Sequence, residues 1–84
     1  MLKLKCRKGD FVLSLAGRDE GRIHLVIDAD ENYAFIADGD TRKVQKPKKK
    51  KIKHLRLLEA EKYEGEITNR MLREKIRELK DNVK

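Results

Sequence analysis

The residues most able to do chemistry in this chain are the lysines after Gln45, which form one dense cationic run. The run reads Gln45-Lys46-Pro47-Lys48-Lys49-Lys50-Lys51-Ile52-Lys53-His54-Leu55-Arg56. Cations at this density neutralise phosphates and release the counterions condensed on a nucleic acid, which gives salt-sensitive affinity without reading any base. The run therefore predicts contact with nucleic acid, and we expect the lysines of residues 48–51 to be largely exposed.

Two other interpretations of the run stay open. A solvated lysine tract that aids solubility is the ordinary meaning of a charge run. A lysine-rich cluster of this length is also typical of a nuclear-localisation signal, which explains the lysines but not the glycine-punctuated strands before them. The position of the run between two predicted strands favours a structured contact.

The net charge of +7 is concentrated in the middle of the chain. Residues 1–40 carry six Lys/Arg and eight Asp/Glu, residues 41–58 carry nine Lys/Arg and no acid, and residues 59–84 carry seven of each. The three segments therefore contribute −2, +9 and 0. Such a concentrated excess is the electrostatic footprint of a polyanion binder.

Groups that could support catalysis or bind a metal are few and badly spaced. Cys6, His24 and His54 are the only soft metal ligands, and a zinc site needs four good ligands. The carboxylates of residues 28–31 surround a predicted hairpin loop, and no nucleophile with an adjacent base is recognisable. We therefore expect no enzymatic activity, no metal, no cofactor and no small-molecule substrate.

Length and composition limit the class of protein further. With 84 residues, 44% of them charged and 5% aromatic, the chain has room for one small core. A single cysteine excludes an intramolecular disulfide and suggests a reducing compartment. No apolar run approaches the roughly 20 residues needed to cross a bilayer. We expect a cytoplasmic protein that does not bind a membrane.

Short runs of β-favouring residues separated by turns predict an antiparallel, mostly β structure. Gly17 and Gly21 bracket the first connection, and Asp38-Gly39 is a strong hairpin signal. The last predicted strand is expected to close the sheet into a barrel and remove its edges. The predicted strands are Phe11–Leu15, Arg22–Asp28, Tyr33–Ala37, Thr41–Gln45 and Ile52–Leu58.

Two aromatic residues, Tyr33 and Phe35, lie on one face of the third predicted strand. Tyr33 and Phe35 alternate with Ala34, so both rings point to the same side. Core packing is the predicted role for the two rings. A base-stacking platform like those on single-strand-binding sheets is the alternative.

The residues after the predicted barrel, 59–84, form a linker and one amphipathic helix over about 68–82. Thr68 is the predicted N-cap, and Ile67 and Leu72 have the spacing of a hydrophobic staple. The apolar stripe is expected to pack on the barrel formed by residues 1–58, with docking of another protein or dimer pairing as alternatives. The stripe consists of Leu72, Ile76, Leu79 and Val83.

The residues from Lys8 to Ile27 resemble the KOW motif of ribosomal proteins and transcription elongation factors. Gly9-Asp10, two spaced glycines and the alternating Ile23, Leu25 and Ile27 carry this resemblance. Over residues 7–58 the chain resembles the ribosomal protein family called L-fourteen-e and its bacterial relatives, the KOW-domain RNA-binding proteins. The matching segments are Ala16-Gly17-Arg18-Asp19-Glu20-Gly21-Arg22, Val26-Ile27-Asp28, Tyr33-Ala34-Phe35-Ile36-Ala37 and Lys51-Ile52-Lys53-His54-Leu55.

This resemblance implies an SH3-like β-barrel whose glycine loop and basic segments contact large-subunit ribosomal RNA. Gly21 matches the characteristic KOW glycine, and Gly17, Arg18 and Arg22 match the loop that approaches RNA. The lysines of the run and His54 match the basic strand of the family. The full set of expected RNA-binding residues is Lys8, Gly17, Arg18, Gly21, Arg22, Arg42, Lys43, Lys46, Lys48, Lys49, Lys50, Lys51, Lys53, His54 and Arg56.

The function expected from charge and resemblance together is non-catalytic binding of structured RNA, on the ribosome or during its assembly. Ribosomal proteins are further expected partners. Two alternatives stay open: a protein-interaction module, and a transcription-linked KOW protein that binds nucleic acid. RNA binding should weaken steeply with added salt, whereas a largely apolar protein contact should not.

Overall fold

The computed structural model describes residues 6–82, which form five strands and one C-terminal helix. This confirms the prediction of a mostly β chain with one helix at its end. No helix among the described residues is long and apolar enough to span a membrane. The elements are β1 Phe11–Ser14, β2 Ile23–Ala29, β3 Tyr33–Ala37, β4 Lys48–Lys51, a 3₁₀ turn at Ile52–His54, β5 Leu55–Leu57 and α1 Asn69–Asn82.

The five strands form one antiparallel sheet in the order β4-β3-β2-β1-β5. The predicted closure of the hydrogen-bonded sheet is wrong, because β4 and β5 are its two edges. The 3₁₀ turn joins β4 to β5, and the three residues of β5 pair with β1. Because β5 is so short, it pairs with β1 and with no other strand among the described residues.

The fourth strand lies later in the sequence than predicted. Residues 41–45 form bends and a turn, and the lysines Lys48–Lys51 take the place beside β3. The Asp38 carboxylate explains the difference, since it accepts hydrogen bonds from the backbone N–H groups of Asp40 and Arg42. Local side-chain acceptors of this kind compete with a strand ladder for the backbone donors.

The fifth strand is also shorter than predicted. Residues 52–54 form the 3₁₀ turn instead of opening the strand, so only Leu55–Leu57 pairs with β1. The first three predicted strands agree with the structure to within one residue at each end.

Alternation along the strands divides the apolar residues between two clusters. The inner cluster holds Val12, Val26, Ala34, Ile36 and Leu55 together with Cys6. The opposite face of β1 and β2 packs against the helix through Phe11, Ile23, Leu25, Ala37, Leu72 and Ile76. Both faces of the central strands are therefore covered, which is why β2 reads as a nearly continuous apolar run.

Helix α1 begins as the sequence predicts. The Thr68 hydroxyl oxygen accepts a hydrogen bond of 3.1 Å from the N–H of Met71, which is the N-cap contact. Leu72 and Ile76 are buried against the sheet, and Ile67 and Leu79 pack on the same cluster. The stripe thus packs on the chain's own sheet as expected, although its predicted last member, Val83, lies outside the described residues.

Candidate nucleic-acid interface

The pairing of β4 with β3 divides the lysine run between two faces of the sheet. Lys48 and Lys50 lie opposite Ile36 and Ala34, the two residues of β3 that face the inner cluster. Lys49 and Lys51, which alternate with them, therefore point to the outer face. The run is consequently not one uniform cationic strip.

Lys50 is the buried member of the run, with 8% of its side chain exposed. Its ammonium group donates hydrogen bonds of 2.6 Å to the carbonyl oxygen of Ala16 and 2.7 Å to Oδ1 of Asp19. The expectation that residues 48–51 are all largely exposed is therefore wrong for Lys50. Its aliphatic stem lies on the inner face, and its charge is used inside the protein.

Asp19 is the centre of this buried polar cluster. Its Oδ1 also accepts a hydrogen bond of 2.8 Å from the Ser14 hydroxyl, and Lys48 Nζ lies 3.4 Å from Oδ2. Burial alone raises the pKa of the Asp19 carboxyl, but the hydrogen bonds from Lys50 and Ser14 and the two lysine charges hold it well below its usual range. Asp19 thus stays ionised and neutralises part of the run.

The loop between β1 and β2 is tied to β4 by the same contacts. Gly17 and Gly21 both have φ of 85°, a conformation that glycine adopts without strain. A Cβ on Gly17 would lie 3.1 Å from Lys50 Nζ, whereas a Cβ on Gly21 would meet nothing within 4 Å. A larger residue in place of Gly17 is thus disfavoured by the nearby Lys50 as well as by the positive φ. At Gly21 it is disfavoured by the positive φ alone.

The other expected RNA-binding residues are mostly on the surface. All are exposed except Lys48 and His54, which are half-buried, and the buried Lys50. The His54 carbonyl oxygen accepts a hydrogen bond of 2.9 Å from the N–H of Leu15, so the 3₁₀ turn lies beside the start of the Gly17 loop. Lys8 precedes β1 and is separated from that loop by the length of the strand.

Seven cations of residues 41–58 are both exposed and without an ion pair to any residue in the described chain. The segment has nine Lys/Arg, of which only Lys48 and Lys50 pair with an acid. The remaining seven are Arg42, Lys43, Lys46, Lys49, Lys51, Lys53 and Arg56. These side chains present positive charge to the solvent that no carboxylate of the described chain offsets at close range.

The aromatic residues of β3 do not lie where the sequence reasoning placed them. Tyr33 and Phe35 belong to neither apolar cluster and are half-buried on the outer face, while Ala34 and Ile36 fill the inner face. The prediction that the two rings pack in the core is wrong. Lys49 Nζ lies 4.4 Å from the centroid of the Tyr33 ring, within the range of a cation–π contact.

His24, the second residue of β2, is fully buried. Its Nδ1 lies 3.2 Å from the carbonyl oxygen of Arg22, and its Nε2 lies 4.0 Å from Asp38 Oδ2 without a hydrogen bond in the described chain. Burial lowers the pKa of His24 despite the neighbouring Asp38 charge. The ring is therefore a neutral core group, and the described residues contain no cluster of three or more metal-ligating side chains.

The polar centre formed by Ser14, Asp19 and Lys50 was missed from the sequence. Ser14 and Asp19 are 5 residues apart, but Lys50 lies 31 residues beyond Asp19, so no local spacing connects all three. The one available signal was the single acid pair Asp19-Glu20 inside an otherwise basic loop.

Comparison with models of known protein families and with curated proteins finds no match to this sequence.

Replacing Lys50 with Gln is expected to lower the free energy of unfolding by about 3 kcal/mol, because the buried Asp19 charge loses its closest cation. Lys49→Gln is the matched control, since the same replacement one position away affects an exposed side chain and should cost about 0.5 kcal/mol or less. Urea denaturation of both variants measures the difference. Equal unfolding midpoints would contradict a structural role for Lys50.

The lowered pKa of Asp19 predicts a loss of stability in acid. The folded chain holds this carboxylate ionised, so its contribution is complete above the unfolded pKa of about 4 and is lost as the pH falls through the lower folded value. In Asp19→Asn this part of the pH dependence should disappear, while Asp30 and Asp38, whose pKa values are also lowered, keep theirs. Unfolding free energies measured from about pH 6 downward test this. If the unfolding free energies of the parent protein and of Asp19→Asn fall in parallel with pH, Asp19 makes no such contribution.

Proposed function

We propose that this chain is a non-catalytic RNA-binding protein with a KOW-type SH3-like barrel, acting on large-subunit ribosomal RNA. The observation that carries the proposal is the set of seven exposed cations in residues 41–58 without an ion pair in the described chain. Their charge requires an external counterion, and a phosphate backbone supplies one at matching density. The contacts are with phosphates, so they position the protein without reading sequence.

The coupling between loop and strand supports the same interpretation. The two segments that carry the resemblance, the glycine loop and the lysine run, are joined directly by Lys50, Asp19 and the Ala16 carbonyl group. The loop backbone at Ala16 is therefore held to the inner face of β4 by Lys50, which fixes the two segments relative to each other.

The small five-stranded antiparallel sheet is compatible with an SH3-like barrel. Its inner cluster is formed by apolar residues of β1, β2, β3 and β5 and of the 3₁₀ turn, as a small barrel interior would be. The alternative of a protein-interaction module draws less support, because Leu72 and Ile76 are already buried against the sheet. The described part of the apolar stripe, Leu72, Ile76 and Leu79, is thus already packed on the sheet and not free to recruit a partner helix.

Removing exposed cations of the run should weaken RNA binding and flatten its salt dependence. The test variant replaces Lys49, Lys51, Lys53 and Arg56 with Gln and leaves the buried Lys50 intact. The slope of log affinity against log salt should fall by about 3, since each phosphate contact contributes about 0.7 to 0.9. Fluorescence anisotropy with a ribosomal RNA fragment at several salt concentrations measures this slope.

The matched control replaces Arg70, Lys75, Arg77 and Lys80 on the exposed side of α1 with Gln. Both variants lower the net charge by four, from +7 to +3, so a loss confined to the first variant assigns binding to the run and not to overall charge. Equal losses in the two variants would contradict a localised interface. Duplex DNA as competitor at the same salt separates the transcription-linked alternative, because preferential release by DNA would favour it.

Association with the large ribosomal subunit is tested by sedimentation of the native protein with ribosomes from its own cells through sucrose gradients. At low salt the protein should migrate with the large subunit, and high salt or the four Gln substitutions in the run should release it. The helix variant should still migrate with the subunit. Migration only at the top of the gradient at low salt would contradict the ribosomal assignment while leaving other RNA partners open.

A further inference from the structure

The outer face of β3 carries two aromatic side chains that the core does not use. Tyr33 and Phe35 are half-buried and belong to neither apolar cluster, whereas their neighbours Ala34 and Ile36 are completely buried on the inner face. Helix α1 packs on the part of the outer face formed by β1 and β2 and by Ala37 at the end of β3. Two aromatic side chains are thus partly exposed beside an edge of the sheet.

Lysines flank these rings on the edge strand. Lys51 is the cross-strand partner of Tyr33, and Lys49 is the partner of Phe35, so all four side chains lie on one face. The Lys49 ammonium group is 4.4 Å from the centroid of the Tyr33 ring. On the neighbouring strand β2, the cross-strand partner of Phe35 is the exposed Asp28. Positive charge is therefore restricted to the β4 side of the rings.

We propose that Tyr33 and Phe35 form a stacking surface for unpaired bases of the bound RNA, with Lys49 and Lys51 contacting phosphates of the same strand. This inference rests on the proposed RNA-binding function and adds to it the class of ligand. A duplex stacks its bases internally and cannot present their faces to a protein ring. The occupant is therefore a single-stranded segment, such as a loop, bulge or end.

The spacing of the rings fits this ligand. Alternate residues of a strand lie about 7 Å apart, which is room for two bases that are splayed apart and not stacked on each other. Every base has a π-face, so stacking on two rings tolerates any sequence. Because the Asp28 carboxylate repels phosphates, the sugar–phosphate backbone of the RNA is directed toward Lys49 and Lys51.

The test compares an unstructured single-stranded RNA with an RNA duplex of the same length. The variants are Tyr33→Ile and Phe35→Ile, which keep an apolar side chain suited to a strand but remove the ring, and Tyr33→Phe, which keeps the ring. Each Ile variant should lose about tenfold in affinity for the single strand and little for the duplex. Its salt slope should stay unchanged, because no cation is removed. Tyr33→Phe should bind as the parent protein does.

The outcomes separate this inference from the function on which it rests. Full affinity of both Ile variants for the single strand, with loss in the variant lacking four cations of the run, would overturn the stacking surface and leave RNA binding in place. Equal losses on single strand and duplex would also overturn it, because the rings would then act through the fold. Failure of the parent protein to bind either RNA at low salt would overturn the proposed function itself.

Tyrosine fluorescence provides a direct readout of stacking. The chain has two tyrosines and no tryptophan, so in a Tyr63→Phe background Tyr33 is the only strong emitter. Saturating single-stranded RNA should quench this emission, after correction with free tyrosine at the same RNA concentration, and the duplex should not. Unquenched emission at saturation would overturn the contact between Tyr33 and a base.

Discussion

The contact between the Lys50 ammonium group and Asp19 is the constraint on which the rest of the candidate interface depends. A lysine in the middle of a cationic run is ordinarily solvated, but here β4 places it on the inner face, where a charge is stable only with a partner. Asp19 supplies that partner, and the Ala16 carbonyl group accepts a second hydrogen bond. One side chain thereby neutralises a buried acid, shapes the glycine loop and joins it to the edge strand.

The alternation of β3 and β4 then separates structural from available groups. On the inner face Ala34 and Ile36 complete the core and Lys50 satisfies the loop, while on the outer face Tyr33, Phe35, Lys49 and Lys51 remain accessible. Because successive side chains of a strand point to opposite faces, the alternation that buries the inner residues also places aromatic rings and cations together on the outer face. Of the four lysines of β4, Lys48 and Lys50 pair with Asp19, whereas Lys49 and Lys51 are free to meet an anion.

Helix α1 contributes by covering the other half of the outer face. Its buried residues Leu72 and Ile76 pack on β1 and β2, and Arg73 donates a hydrogen bond of 2.8 Å to the carbonyl oxygen of Gly39. The helix covers the sheet on that side and leaves the outer face near the β4 edge open. The apolar stripe and the cationic run thus belong to different regions and serve different purposes.

Local periodicity, capping and composition can be read from the amino-acid sequence alone. They are enough to predict the class of fold, the first three strands, the helix with its Thr68 cap and the concentration of charge in residues 41–58. The position of β4, the open sheet, the burial of Lys50 and the partial exposure of Tyr33 and Phe35 do not follow from them. Those depend on the register between strands and on contacts across long stretches of sequence, such as the 31 residues that separate Asp19 from Lys50. A shift of one residue in register exchanges the two faces of a strand, so the lysines and rings that reach the surface are known only once the strands are paired.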